Sequence, residues 1–337
     1  MHENDTSIVI HDVGMRDGLQ VEKPIVPTEL KMKWIQNLIE SGVDIIQIGS
    51  FVHPEKVPQM ADTDRLFAHL AWQIRQNSRT AIDPGLISDQ QTKPDSETKQ
   101  GSVVLSGLVL NERGLERGMA CGVELFCMGI SASDTYSRKN TGMSSGEALK
   151  RILVMAKRAL DAGKKVQVSV QNAFGCSYEG LVHEEAVLKI AKQYLDAGLK
   201  NISLADTSGH AHPQQVERLF DTAMNQGAKS GQAEFACHFH ETYGLGLTNC
   251  YAAMKTGVRY FETSFGGLGG SPFSARSSGN ICTEDFIYFL QRMNLRLDVD
   301  LDRIIEITKD ASQFLNRALP GFLHRIGRLP IQSAQES

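Results

Sequence analysis

The chain has 337 residues, 41% of them hydrophobic and 22% charged, with a formal net charge of −4. This is globular composition, and it excludes a disordered or fibrous chain. Mild acidity argues against a nucleic-acid surface, which carries a basic stripe, and the longest apolar runs, such as Val103 to Leu110, are far too short to cross a bilayer. No nucleic-acid or membrane partner is therefore expected. The polar start Met1-His-Glu-Asn-Asp has no basic region followed by an apolar one, so no export signal is expected. Six cysteines are scattered without a CxxC pair, which points to reduced thiols in a cytoplasmic protein.

Short β-branched runs alternate with amphipathic segments from end to end. Residues 7–12 read as a strand, and Thr28 to Ser41 as a helix with Leu30, Trp34, Ile35, Leu38 and Ile39 on one stripe. A strand over 42–48 and a helix over 64–75 follow. Residues 76–101 are polar and rich in Pro, Asp, Ser, Thr and Lys, and read as an inserted excursion on the surface. Then come strand 103–110, helix 112–120, strand 123–128, helix 145–162, strand 165–170 and helix 184–197. Strand 200–204, helix 213–226, strand 234–240, helix 245–256, strand 259–264 and helix 283–293 complete the alternation. Gly42, Gly163 and Gly198 stand where a helix C-terminus needs a left-handed residue.

Eight strand–helix pairs with short turns predict an α/β fold, a (β/α)8 TIM barrel with a loop inserted before strand 3 and extra C-terminal helices. A doubly wound sheet would show a Gly-rich phosphate turn after the first strand, and Val13-Gly-Met-Arg-Asp-Gly18 is not one. The expected division is a catalytic barrel over 1–295 and a helical extension and tail over 296–337. The helix over 300–319 would pack on the barrel or on a partner subunit, and Phe314, Leu315 and Leu319 could support a homodimer.

Such a barrel collects its reactive groups at the C-terminal ends of its strands. Read in order, those ends offer Arg16, Asp17, Gln47, Ser131, Gln171, Asn172, Asp206, Thr207, His238, His240, the loop Gly266-Gly-Leu-Gly-Gly-Ser271 and Asn280. The strongest local signal is Cys237-His-Phe-His-Glu241, because residues two apart in a strand face one side and His238 and His240 can share a cation. Asp17 would add an anionic oxygen and Asn280 a neutral one. Two nitrogens and two oxygens with open positions suit Mg2+ or Mn2+ better than a closed structural Zn2+ site, Zn2+ being the alternative. Arg16 beside a metal ligand can hold a carboxylate or a developing enolate, or pair with Asp17 or Asp206. His210 and His212 read as surface or cap residues. Ser137-Arg-Lys-Asn140 reads as a basic loop at the same rim that could meet phosphates, and the glycine loop as a lid over substrate.

Val13-Gly-Met-Arg-Asp-Gly-Leu-Gln20, Ser50-Phe-Val-His-Pro-Glu-Lys-Val-Pro-Gln-Met60, Phe174-Gly-Cys-Ser-Tyr-Glu-Gly180, Ser203-Leu-Ala-Asp-Thr207, His238-Phe-His-Glu-Thr-Tyr-Gly244, Gly267-Leu-Gly-Gly-Ser-Pro-Phe273 and Ser278-Gly-Asn-Ile-Cys-Thr-Glu-Asp285 together resemble 3-hydroxy-3-methylglutaryl-CoA lyase of the DRE-TIM metallolyase superfamily. The resemblance runs from about residue 8 to 317. It implies Asp17, His238, His240 and Asn280 as ligands of a divalent metal, Arg16 as the group that stabilises the enolate, and Gln20 as a nearby site residue. It also implies retro-Claisen cleavage of a tertiary 3-hydroxyacyl-CoA thioester: the hydroxyl loses its proton to a base, the C–C bond breaks to a ketone and an acetyl-CoA enolate, and an acid protonates the enolate.

Two positions depart from the lyase pattern. The family's glycine loop carries a cysteine where this chain has Ser271, a far weaker proton donor. Its second strand ends with a glutamate where this chain has Gln47, which cannot exchange a proton. Arg16, Asp206, Ser271 and Gln47 are thus the candidate catalytic set, and Gln20, Ser131, Asn172 and Thr207 the candidate substrate contacts. The leading expectation is a metal-dependent carbon–carbon lyase acting on a small-molecule acyl-CoA. An aldolase or Claisen-type synthase on another carbonyl substrate, or a non-catalytic metal-binding paralogue, are the alternatives.

Overall fold

The computed structural model of the protein describes residues 8–70, 103–231, 233–270 and 279–329. The excursion at 76–101, Ser271 and the last eight residues lie outside them. Eight parallel strands close into one barrel in sequence order: β1 (Val9–Asp12), β2 (Ile45–Ser50), β3 (Val104–Leu108), β4 (Leu125–Ser131), β5 (Lys165–Gln171), β6 (Asn201–Ala205), β7 (Glu234–His238) and β8 (Tyr260–Thr263), with β8 pairing back onto β1. The register slips once, between Gln47 and Gly49 of β2.

Around the barrel run α1 (Thr28–Ser41), α2 (63–70), α3 (Glu112–Cys121), α4 (Asp134–Thr141), α5 (Ser145–Asp161), α6 (Glu184–Asp196), α7 (Pro213–Lys229), α8 (Gly246–Lys255), α9 (Thr283–Arg292), α10 (Leu301–Leu315) and α11 (Leu323–Ile326). Residues 42, 163 and 198 do take left-handed φ values, 86°, 72° and 80°, as the punctuation required.

Strand alternation sorts the side chains into two populations. Outward-facing Ile10, Ile46, Phe126, Val168, Leu204 and Phe261 join the apolar stripes of the helices in one continuous core. Inward-facing Val9, Ile45, Val104, Leu125 and Tyr260 form a small apolar plug inside the barrel with Leu108 and Cys127. Above the plug the lumen is polar. His11 Nε2 meets Ser106 Oγ at 2.8 Å, and burial holds the imidazole neutral by lowering its pKa to about 4.

Two expectations change here. Residues 137–140 are not a loop but the last turns of α4, capped by Ser133 Oγ accepting from Tyr136 N. Its sequence carries no apolar stripe, so periodicity could not find it. The apolar side of α10 faces this chain's own barrel. Leu315 and Leu319 are buried, and the Phe314 ring meets Trp34 edge-on at 6.3 Å. Those side chains are therefore not an open dimer surface.

Candidate active site

The turn after β1 creates the first half of the site. The Val13 carbonyl accepts the N–H groups of Arg16, Asp17 and Gly18, winding Gly14–Gly18 into one wide π-helical turn. A side chain at Gly14 would collide with the Phe265 ring and one at Gly18 with Ser264 Oγ, so both glycines are required by close approach. Asp12, at the end of β1, locks this turn to the segments that follow the neighbouring strand β8: its carboxylate accepts from Gly14 N at 2.8 Å, Phe265 N at 3.0 Å and Thr283 Oγ1 at 2.7 Å. Burial raises its pKa to about 7.

Within the turn, Arg16 donates through Nε to Gln47 Oε1 and through Nη1 to Asp17 Oδ1. Gln47 is buried at the register slip of β2. Burial alone would raise Asp17, but the charges of Arg16, His238 and His240 and a hydrogen bond from Asn280 outweigh it and hold the pKa at about 2. Asp17 is an anion at any ordinary pH.

The second half comes from β7 and the β8 loop. His238 ends β7, and His240 and Asn280 pair in a single β-bridge beyond it. The two Nε2 atoms are 3.1 Å apart, and Asp17 Oδ2 lies 4.0 Å from His238 Nε2. Among the described residues, Asp17, His238 and His240 are the one group of three acid, thiol or imidazole side chains close enough to hold a metal ion. Asn280 donates to Asp17 Oδ2 at 2.8 Å and to the Leu268 carbonyl at 2.9 Å, leaving its own Oδ1 buried without a hydrogen-bond partner. Two imidazole nitrogens within 3.1 Å, an ionised carboxylate and an orphaned amide oxygen could hold a divalent cation.

One residue of the candidate site escaped the sequence reading. Glu262 on β8 meets His238 Nδ1 at 3.0 Å. Burial would raise its pKa, yet its hydrogen bond and charge interaction with His238 hold it near 2, and Glu262 in turn raises His238 against the effect of burial. With Nδ1 engaged, Nε2 is directed toward Asp17 and His240. The available signal was parity: Glu262 is two residues after inward-facing Tyr260.

The cavity over this centre, about 140 Å³, is lined by Arg16, Asp17, Gln20, His238, His240 and Glu262 on one side. Leu108, Leu110, Tyr136 and Asn140 line the other, with Ser169, Gln171, Ser203, Ala205 and Thr207 between them. Gln20 and Thr207 thus reach the cavity. Ser131 and Asn172 do not line it: Ser131 Oγ donates to Asn172 Oδ1 at 2.8 Å, and Asn172, at φ 55°, donates through its side chain to the Gly175 carbonyl and through its backbone N–H to Thr207 Oγ1. They hold the loop that presents Thr207. The Asp206 carboxylate accepts from His210 N at 2.8 Å and Ala211 N at 3.0 Å, and burial raises its pKa to about 6. His210 is exposed and His212 is the N-cap of α7, so neither joins the metal set. The described part of the glycine loop is packed, with Gly266 beneath Leu319 and Thr308.

Comparison with known proteins agrees with this fold. Residues 7–310 match the family model HMGL-like. A hydroxymethylglutaryl-CoA lyase of Bacillus subtilis is 33% identical over 313 residues, 93% of this chain and 95% of that protein. An (R)-citramalyl-CoA lyase of Chloroflexus aurantiacus is 32% identical over 321 residues, 95% of each. An HMG-CoA lyase of Acinetobacter baumannii, solved with coenzyme A and 3-methylmalate, superposes with a TM-score of 0.82 at 30% identity, over 100% of this chain and 99% of that one. The chain belongs to the HMGL-like family.

Proposed function

We propose that the protein is a divalent-metal-dependent carbon–carbon lyase that cleaves a 3-hydroxyacyl-CoA in the retro-Claisen direction, releasing acetyl-CoA and a ketone or oxoacid. The observation that carries this reading is the convergence of Asp17, His238, His240 and the orphaned Asn280 Oδ1 beside a cavity that holds Arg16. Lyases on two acyl-CoA substrates among the relatives support it. Mg2+ or Mn2+ held by those four residues would supply Lewis-acid polarisation of the substrate oxygens.

The chain's own residues supply the rest. Arg16, fixed between Gln47 and Asp17, offers its guanidinium where negative charge develops on the thioester oxygen, and donors oriented beforehand need no rearrangement at the moment of reaction. Gln20 and Thr207 position the acyl group. Asp206, with a pKa lifted to about 6, is the proton-transfer carboxyl; it acts through a solvent molecule, because it does not itself line the cavity. Ser271 remains a substrate-contact and proton-relay candidate outside the described residues. The amide of Gln47 keeps Arg16 in place without neutralising it, leaving the guanidinium more positive than a glutamate partner would. A cytoplasmic setting belongs to the same reading and is supported by six free cysteines. A homodimer also belongs to it, joined through a surface other than the buried face of α10.

The test is product analysis. Purified protein with Mn2+ is offered hydroxymethylglutaryl-CoA and citramalyl-CoA in separate reactions, and both fragments are followed by mass spectrometry. Acetyl-CoA with an equimolar carbonyl product is expected. Acetyl-CoA consumption when the carbonyl compound is supplied, with no cleavage of either thioester, would overturn the lyase direction in favour of a Claisen-type synthase.

A further inference from the structure

One neighbourhood of the barrel lumen holds buried polar atoms that the proposed metal centre does not use. The strand registers place His11 of β1 beside Glu262 of β8, and Glu262 beside His238 of β7. Residues paired this way on adjacent parallel strands face the same side. His11 is fully buried, and Glu262 and His238 are buried with it. His11 therefore stands next to the carboxylate that grips His238.

The tautomer of His11 follows from its partner. Ser106 Oγ carries one proton and spends it on the Ile46 carbonyl at 3.3 Å. The same oxygen, 2.8 Å from His11 Nε2, must then accept, so Nε2 bears the ring proton. Burial keeps the imidazole neutral, its pKa lowered to about 4. Nδ1 is left as a bare acceptor, buried and without a hydrogen-bond partner among the described residues. Glu262 Oε1 is a second bare acceptor, since Oε2 is the oxygen that meets His238. The Ser203 hydroxyl stands beside the Glu262 carboxylate, fully buried and without a well-formed bond of its own among the described residues. Its single proton can serve only one of the two acceptors. Buried polar atoms are paired, and where protein donors fall short a water molecule with about three such partners completes the pairing. Water has two protons to give and can accept the one from Ser203.

We propose that a buried water molecule donates to His11 Nδ1 and to Glu262 Oε1 and accepts from Ser203, making His11 a positioning residue for the metal centre. A continuous chain then runs from the Ile46 carbonyl through Ser106, His11, the water and Glu262 to His238 Nδ1. The strand backbone thereby fixes the angle of the imidazole whose Nε2 faces Asp17 and His240. The positioning role rests on the metal-dependent reading above; the water does not. A water-mediated bond holds nearly as well as a direct one, so loss of His11 should weaken metal binding by about tenfold, the low end for outer partners of metal-bound histidines.

Two measurements on the full-length protein test it. Nitrogen-15 NMR of the metal-free, histidine-labelled protein should show His11, identified by the signal missing from His11→Phe, protonated on Nε2 alone from about pH 5 to about pH 8 and hydrogen-bonded at Nδ1. A proton on Nδ1, or an Nδ1 that accepts no bond, would overturn the water bridge. Mn2+ titration followed by electron paramagnetic resonance then separates positioning from packing. His11→Phe should lower affinity about tenfold in the wild-type background but by less than about twofold in Glu262→Ala, where no chain remains to break. Ser106→Ala, which frees the ring to turn, should show the same dependence at smaller size, and it replaces the phenylalanine variant should that fail to fold. Equal losses in both backgrounds, or none in either, would overturn the positioning role. Wild-type protein that binds no Mn2+ but keeps the NMR signature would sink the metal-dependent reading and the positioning role with it, and leave the water bridge standing.

Discussion

Glu262 is assigned no step in the proposed cleavage, but its grip on His238 would orient the proposed metal centre. The bond from His238 Nδ1 to Glu262 Oε2 is 3.0 Å, and both side chains are about nine-tenths buried. A hydrogen bond to a charged group contributes about 1.5–3 kcal/mol, and each 1.4 kcal/mol is a decade in an equilibrium constant. If that bond serves to aim Nε2, its loss should weaken metal binding by about 10- to 100-fold, the range seen when outer partners of metal-bound histidines are removed. Glu262→Gln keeps the shape and one acceptor and should fall near tenfold; Glu262→Ala frees the ring and should approach a hundredfold. The assay is Mn2+ titration followed by electron paramagnetic resonance, with thermal melting of each metal-free variant as the folding control. A well-folded Glu262→Gln variant that binds Mn2+ within twofold of wild type would refute the positioning role.

Arg16→Lys should lower kcat by about a hundredfold with little change in KM, since a lysine cannot engage Gln47, Asp17 and a substrate oxygen at once; steady-state kinetics would show it. Asp206→Asn should remove the rise of kcat/KM with pH around 6, because the ionised carboxylate acts as base above its raised pKa. Mn2+ affinity should be retained, and a variant that loses metal binding along with activity would mark Asp206 as a loop anchor only. Asp12→Ala should destabilise the fold by about 2–4 kcal/mol, since it strands two buried N–H groups and a hydroxyl. Folded Asp12 keeps a proton that the unfolded chain releases, its pKa rising from 3.8 to about 7 on burial. Its contribution to stability therefore declines as pH rises from about 4 to 7, and Asp12→Asn should flatten that slope in denaturant melts.

The barrel was legible because its outer layer obeys simple periodicity. Helix Thr28–Ser41 follows its apolar stripe and ends at Gly42, where only a residue at ease with φ 86° continues the chain. The candidate metal set was legible because His238 and His240 are two apart at a strand end, and because Asp17 and Asn280 sit in motifs long enough to recognise. What stayed hidden depends on which strand neighbours which. Glu262 looks like any charged strand residue until β8 is seated beside β7. Asp12 looks like the end of a strand until Phe265 and Thr283 arrive from 250 residues away and more. Ser131 and Asn172 stand at strand ends, where substrate contacts are expected, but sequence cannot reveal that their polar atoms are spent on one another.

The central claim is that Asp17, His238, His240 and Asn280 hold a divalent ion that a C–C cleavage requires. The most direct measurement strips the protein with EDTA, removes the chelator, and follows acetyl-CoA release from hydroxymethylglutaryl-CoA as Mg2+ or Mn2+ is added back. Release that is absent from the stripped protein and returns in step with occupancy of one site per chain is the expected result. Undiminished release from metal-free protein, or none from protein carrying a full equivalent of Mn2+ on this thioester and on citramalyl-CoA, would contradict it.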